Sequence, residues 1–253
     1  MDMGLRNRGV LVTGSSAGIG RATAIAFGRE GARVGITYRQ RRDQAEETAK
    51  RVVEEGGLAL LAPYDLSREE SISKAVQALE QHWGTIQVLV NNAVQWETPE
   101  HMRERFEDIS RERWGTMLGT ALTGVFLTIQ KVVPGMRAEG WGRIVNLSTN
   151  VAEDGLPGAG PYASAKAGLH GLARVLAKEL GPVGVLTNVV LPGFTATERN
   201  LQLMPQQMRD MVVSQTPTGR LTTPEDVAAL VTFLGSAANG HVNGEMIRCN
   251  GGL

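Results

Sequence analysis

A single cysteine, Cys249, stands in 253 residues, which excludes an internal disulfide and any cysteine-rich metal site. The four histidines (His82, His101, His170, His241) are scattered and never four residues apart, which argues against a zinc hydrolase and predicts no bound metal. No run reaches the roughly 18 apolar residues of a membrane span, and the opening Met1–Arg6 lacks an apolar core. A soluble, cytoplasmic protein with no membrane partner is therefore expected. Neither sign of charge is in excess, with 26 Lys plus Arg against 26 Asp plus Glu. With a pI near 6.9, that balance argues against a nucleic-acid coat or an anionic-membrane binder.

What is plentiful is glycine, 31 residues, about 12 % against a typical ~7 %. Apolar content of 42 % and charged content of 21 % mark a globular chain. The length suits one domain with a single core, or two small domains. No repeat, low-complexity tract or linker divides it. Short β-branched runs instead alternate with longer amphipathic stretches. Strands are expected at 10–13, 33–38, 58–62, 86–90, 143–147, 184–191 and 245–248. Helices are expected at 18–30, 43–55, 68–82, 110–139, 162–180 and 224–236. Such alternation predicts βαβ units in one α/β domain, a doubly wound, Rossmann-type parallel sheet of about seven strands. Ligands of that architecture bind at the carboxyl ends of the strands.

The first such end reads Thr13-Gly14-Ser15-Ser16-Ala17-Gly18-Ile19-Gly20. Gly14 permits a tight turn, Gly18 lets backbone approach a pyrophosphate, and Gly20 lets helix and strand pack closely. The following helix offers unpaired N–H groups and a positive dipole end to phosphate. A glycine turn alone is also just a turn; its strand-turn-helix setting points to a dinucleotide. The second end, Thr37-Tyr38-Arg39-Gln40-Arg41-Arg42, holds no acid to bond ribose hydroxyls or repel a 2′-phosphate. A guanidinium matches phosphate with paired donors, so NADP(H) is the expected cofactor. Arg39 is the main contact in that reading, assisted by Arg41 or Arg42; a solvated basic helix start is the plainer alternative.

The G-x-x-x-G-x-G spacing with its preceding threonine resembles the short-chain dehydrogenase/reductase family. Other motifs extend the resemblance from Thr13 to Gly252. Tyr162-Ala163-Ser164-Ala165-Lys166 is the family's Y-x-x-x-K, whose i, i+4 spacing puts both side chains on one helical face. A lysine cation there is expected to lower the tyrosine pKa, so that the phenol passes its proton to a ketone as hydride arrives. The family's catalytic serine lies 13 residues before the tyrosine, where this chain has Thr149. Ser148 is the alternative, but strand alternation should turn it to the other side. Asp65-Leu66 matches the adenine contact, or else Asp65 caps the next helix. Asn91-Asn92-Ala93 matches three residues of N-N-A-G; Asn91 should tie strand ends, and Asn92 and Ala93 border the cofactor ribose. Leu191-Pro192-Gly193-Phe194-Thr195-Ala196-Thr197 matches P-G-x-x-x-T, with backbone near Thr195 bonding the nicotinamide carboxamide and Thr197 assisting.

Two departures stand out. Val94 replaces the glycine of N-N-A-G, so a β-branched residue sits beside the nicotinamide and excludes positive φ. Ala121 replaces the asparagine that holds a relay water in W-x-x-x-x-x-x-N-L-x-G, leaving other waters or Thr120. Val94, Gln95, Trp96, Val151 and Phe194 are the expected substrate pocket, although Trp96 also reads as ordinary packing. Residues 198–216, with Met204, Met208 and Met211, read as a mobile lid. Glu153 or Asp154 can anchor a substrate hydroxyl or simply face solvent. Apolar positions on the two long helices (Leu118, Leu122, Ile129, Val133; Leu169, Leu172, Leu176) suit both a core and the homotetramer usual in the family.

Two reductase readings follow. The layout is common to 3-oxoacyl-acyl-carrier-protein reductases. The segments 91–97 and 149–154, with Ala121, resemble angucycline 6-ketoreductases of landomycin- and urdamycin-type pathways. That resemblance implies NADPH-dependent reduction of a polycyclic aromatic polyketide in antibiotic biosynthesis. A third reading, from another class, is an NADPH-binding sensor or partner subunit that has lost catalysis.

Overall fold

The computed structural model describes residues 2–95, 101 and 104–253; Trp96 lies outside them. Seven strands form: β1 (Gly9–Val12), β2 (Arg33–Tyr38), β3 (Leu58–Pro63), β4 (Val88–Asn91), β5 (Gly142–Leu147), β6 (Val185–Pro192) and β7 (Met246–Cys249). All pair in parallel, in the order β3-β2-β1-β4-β5-β6-β7. This is the single Rossmann-type domain expected from the alternation. β1 is flanked by β2 and β4, so the strand order reverses there and opens a crevice over their carboxyl ends.

The strands read as nearly unbroken apolar runs because both faces of the sheet are covered. Val10, Val12, Val90 and Val145 pack on one side with Phe27 and Val231, from α1 (Gly18–Arg29) and, last in the chain, α10 (Pro224–Leu234). Leu11, Leu89 and Ile144 pack on the other with Leu79, Ile129 and Leu169. Between α1 and α10 in sequence lie α2 (Arg42–Glu54), α3 (Glu69–Trp83), α4 (Arg111–Leu118), α5 (Gly124–Glu139), α6 (Val151–Asp154), α7 (Gly160–Leu180), α8 (Glu198–Leu203) and α9 (Gln206–Gln215).

The long helix expected over 110–139 forms, but it is interrupted. A π turn over Gly119–Thr123 separates α4 from α5. The rod Arg111–Glu139 is long and apolar enough to cross a membrane by length and composition. Its apolar face is nevertheless occupied: Val125, Ile129, Val132 and Met136 are buried against the sheet. Gly124 starts α5 directly on the loop after β3, where a Cβ would lie 2.5 Å from the Leu66 carbonyl oxygen. The segment read as a lid is built of α8 and α9.

Candidate active site

The glycine turn is shaped by what a side chain would strike. Gly14 has φ +67, and a Cβ there would lie 2.8 Å from Ala93 Cα. A Cβ on Gly20 would lie 2.5 Å from Asn92 Nδ2. Thr13 locks the two strand ends together: its hydroxyl accepts from the Asn92 and Ala93 N–H groups at 2.9 and 3.0 Å and lies 3.2 Å from the Val90 carbonyl oxygen. Helix α1 starts without a side-chain cap and without an acid in its first turn. Its N–H groups are thus left to an anionic ligand. These residues fit a dinucleotide pyrophosphate.

Several residues of the expected site already hold partners within the protein. Ser15 is wholly buried, and its hydroxyl donates to the Val12 carbonyl at 2.9 Å while accepting from Thr37 N–H at 2.8 Å. Its hydroxyl ties β1 to β2, and the partly exposed Ser16, Gly18 and Ile19 lie on the rim. Asn92 Nδ2 donates to the Thr13 and Gly14 carbonyls at 2.9 and 3.1 Å, so its amide props the turn. Asn91 does tie strand ends, donating to Asn146 Oδ1 across β4 and β5 at 2.8 Å. A Cβ on Gly193 would lie 2.7 Å from Asn250 Cβ, so this glycine answers to the turn after β7. The carbonyl of the buried Thr195 already accepts Asn200 Nδ2 at 2.9 Å and Thr197 N–H at 2.8 Å. That carbonyl is saturated, so a carboxamide contact near Thr195 would use other backbone groups there. Pro192, at the end of β6, accepts from Asn150 N–H at 3.2 Å and so braces the loop after β5. Thr197 caps α8 and sits beside Gly18, 3.2 Å from where its Cβ would be.

At the adenosine end, Asp65 bonds Ser67 at its N–H and its hydroxyl, 2.9 and 2.7 Å. Burial works to raise this carboxyl, but the Ser67 bonds and the charges of Arg39 and Arg68 hold it below its ordinary value. It does not cap α3, whose N-cap is Arg68. Leu66 is buried beside it. Arg39 is exposed over this loop with no acid on its own turn. Arg42 pairs with Glu46 at 2.9 Å, which leaves Arg41 as the assisting cation. Burial and the neighbouring charge of Arg41 both lower Arg199, placing a lid arginine near the same loop. Sequence reasoning missed Arg199, since nothing in its local pattern distinguishes it.

The residues expected to be catalytic meet where β5 ends and α7 begins. Thr149 and Tyr162 share a side-chain hydrogen bond. Ser148 points the other way, 2.8 Å from His170 Nε2, as alternation predicts. Burial pushes the Tyr162 phenol up to about 12, only partly offset by the Thr149 bond. Lys166 is buried and donates to the Leu147 carbonyl at 2.7 Å; burial brings it down to about 8. In the free protein burial is the largest influence on the phenol, and the lysine ammonium is held on the Leu147 carbonyl at the end of β5.

Ala121 is wholly buried and packs with Met117, Ala165 and Tyr162. Thr120 cannot replace a relay from there, since its hydroxyl turns back to the Thr116 and Met117 carbonyls. Val94 and Gln95 are half-buried, and Val94 avoids positive φ as its branching requires. Val151 and Phe194 are also half-buried at the mouth. Glu153 and Asp154 are held by Arg248 at 2.8 and 2.7 Å, which removes both as substrate anchors.

A glycine turn over β1, paired strand ends at β4, and a Thr-Tyr-Lys group across β5 and α7 define a nicotinamide-dependent oxidoreductase. Residues 14–253 match the family described as Enoyl-(Acyl carrier protein) reductase, and the chain belongs to the short-chain dehydrogenases/reductases, which act on ketones and alcohols with NAD(P)(H). It is 36 % identical to the 3-oxoacyl-(acyl-carrier-protein) reductase of Pseudomonas aeruginosa, covering 99 % of each chain. It is also 36 % identical to the acetoacetyl-CoA reductase of Rhizobium meliloti, covering 97 % of this chain and 98 % of the relative. Among solved structures, a 7α-hydroxysteroid dehydrogenase complexed with NADH and 7-oxo glycochenodeoxycholic acid superposes with a TM-score of 0.92 at 27 % identity, covering 99 % and 96 %. A mutant short-chain dehydrogenase/reductase from Serratia marcescens gives 0.89 at 30 % identity, covering 98 % of each.

Proposed function

We propose that this protein is an NADPH-dependent ketoreductase. The carrying observation is the Thr149–Tyr162 hydrogen bond, set beside a buried Lys166 and the glycine turn. A bound nicotinamide supplies the hydride. A ketone oxygen seated at the Thr149–Tyr162 pair meets two hydroxyl donors. Thr149 steadies the developing oxyanion while Tyr162, whose phenol keeps its proton through the neutral range, donates that proton. Lys166 supplies the cation that holds the nicotinamide ribose, and Arg39 with Arg41 selects the 2′-phosphate.

For the substrate, the 3-oxoacyl thioester reading has the wider support, because curated relatives at 36 % identity carry that activity in their names. A polycyclic aromatic ketone of the angucycline class is the second reading. It is favoured by Leu201, Leu203, Met208 and Met211, exposed on the lid helices, and by a structural neighbour complexed with a fused-ring ketone. A flat ring system needs such apolar walls with few polar anchors. The protein acts as a soluble, cytoplasmic homotetramer in this reading. Trp114, Phe126 and Val175 remain exposed on α4, α5 and α7 for subunit contact, while Ile129 and Leu169 belong to the core.

The test is NADPH oxidation with small ketones, 3-oxoacyl thioesters and polycyclic quinones. Thioester turnover supports the first reading and polycycle turnover the second. Tight NADPH binding without turnover of any would overturn both in favour of a sensor.

A further inference from the structure

Behind the Thr149–Tyr162 pair lies a second polar pair that the chemistry does not use. Ser148 Oγ sits 2.8 Å from His170 Nε2 and 3.4 Å from the Lys166 carbonyl oxygen. Both residues are buried, at 6 % and 8 % exposure. Tyr162, Lys166 and His170 follow one another at four-residue intervals and so share one face of α7. Burying a hydroxyl and an imidazole costs desolvation that two apolar side chains of similar size would avoid.

The bond joins the two elements that carry the reacting groups. Ser148 is the first residue beyond β5 and the immediate neighbour of Thr149; His170 sits two turns beyond Tyr162 on α7. The other side-chain tie at this level, Lys166 Nζ to the Leu147 carbonyl, uses an ammonium that the cofactor ribose also requires. The Ser148–His170 bond involves no group that touches cofactor or substrate.

We propose that His170, acting through Ser148, is a positioning residue for the Thr149–Tyr162 pair. The bridge fixes the height of the chain after β5 against α7, so that the next hydroxyl along meets the phenol. This rests on the ketoreductase reading. A misplacement of about 1 Å at a reacting group can cost roughly 100-fold, so a bond one residue away has ample leverage. Burial lowers the imidazole, opposed by Glu153 of α6 and assisted by Arg174 of its own helix. It is therefore neutral at neutral pH, and Nε2 shares a single hydrogen bond with the Ser148 hydroxyl.

The test is a double-mutant cycle on the full-length enzyme. His170→Leu and Ser148→Ala should each lower kcat about tenfold with KM and NADPH Kd unchanged, the effect of one lost buried hydrogen bond. The double variant should be no worse than either single variant. His170→Gln, which keeps an acceptor, should restore most of kcat. Additive losses, a fall in NADPH affinity matching the fall in kcat, or full turnover in His170→Leu would each overturn the positioning role while leaving the ketoreductase reading intact. A wild type that binds NADPH but reduces no ketone would overturn both. Nitrogen-15 spectra of the imidazoles check the bridge itself: His170 should be neutral with an Nε2 resonance that shifts in Ser148→Ala, and a protonated ring at pH 7 would end the proposal.

Discussion

Thr149, just beyond the end of β5, and Tyr162, in the first turn of α7, are joined by a side-chain hydrogen bond. Thirteen residues separate them in sequence, and the short helix α6 closes that loop. Tyr162→Phe removes the proton donor and leaves the rest of the cleft in place. It should lower kcat for ketone reduction by about 10²–10⁴-fold with NADPH Kd unchanged. Stopped-flow reduction and fluorescence titration measure the two quantities; full turnover would end the assignment.

The same bond separates Thr149 from its neighbour. Thr149→Ala should cost about 10²-fold in kcat, since an oxyanion donor is lost, and Thr149→Ser should retain most activity. Ser148→Ala should cost distinctly less. A larger loss for Ser148→Ala would exchange their roles.

Arg39 faces the loop that would receive the adenosine 2′-phosphate. Arg39→Ala should lower the NADPH-to-NADH ratio of kcat/KM by about 10–100-fold, the scale of a lost charge-assisted bond. An unchanged ratio would remove Arg39 from this role.

Lys166 couples stability to pH. Its folded value is about 8 against an ordinary 10.5. Below about pH 8 the amine is charged in both folded and unfolded chains, and the folded chain bears the full cost of burying that charge. Between about 8 and 10.5 the folded chain releases its proton first, so stability rises with pH. Lys166→Met should therefore raise the thermal midpoint at pH 7 while abolishing reduction, and the gain should shrink towards pH 10. Calorimetry across that range decides it; a lowered midpoint at pH 7 would mean that the Leu147 bond outweighs burial.

Helix α10 begins with a capping box: Thr223 accepts from Asp226 N–H at 3.1 Å, and Asp226 accepts from Thr223 N–H at 2.8 Å. The Arg220 guanidinium, then the Thr223 amide, hold the Asp226 carboxyl well below the usual carboxylate range. A lowered acid stabilises the fold above its unfolded pKa and loses that contribution as pH falls. Asp226→Asn should cost about 1 kcal/mol at pH 7, with the difference from wild type narrowing below about pH 4. Urea unfolding at the two pH values tests this.

The order of strands and helices was readable because the central strands β1, β4 and β5 are buried along their whole length and periodic helices run between the strands. That Thr149 faces Tyr162 while Ser148 turns to His170 was readable too, from the family spacing together with strand alternation. What escaped depended on partners distant in sequence. Arg248 takes Glu153 and Asp154 from 94 or more residues away. The direction of the Lys166 side chain also escaped, because spacing fixes a shared face but not where a flexible chain ends. His170 was within reach, being one further four-residue step along α7.

The π turn over Gly119–Thr123 holds one residue more than an α-helical turn would need. Each helical residue turns the chain by about 100°, so this extra residue sets the rotation of all of α4 relative to α5. Deleting one residue here would leave a regular helix of nearly the same length. It would also swing Met117 and Leu118 away from Ala165 and Tyr162, which they now cover. An insertion or deletion in the rod would thus act on Tyr162 without altering Thr149, Tyr162 or Lys166 themselves.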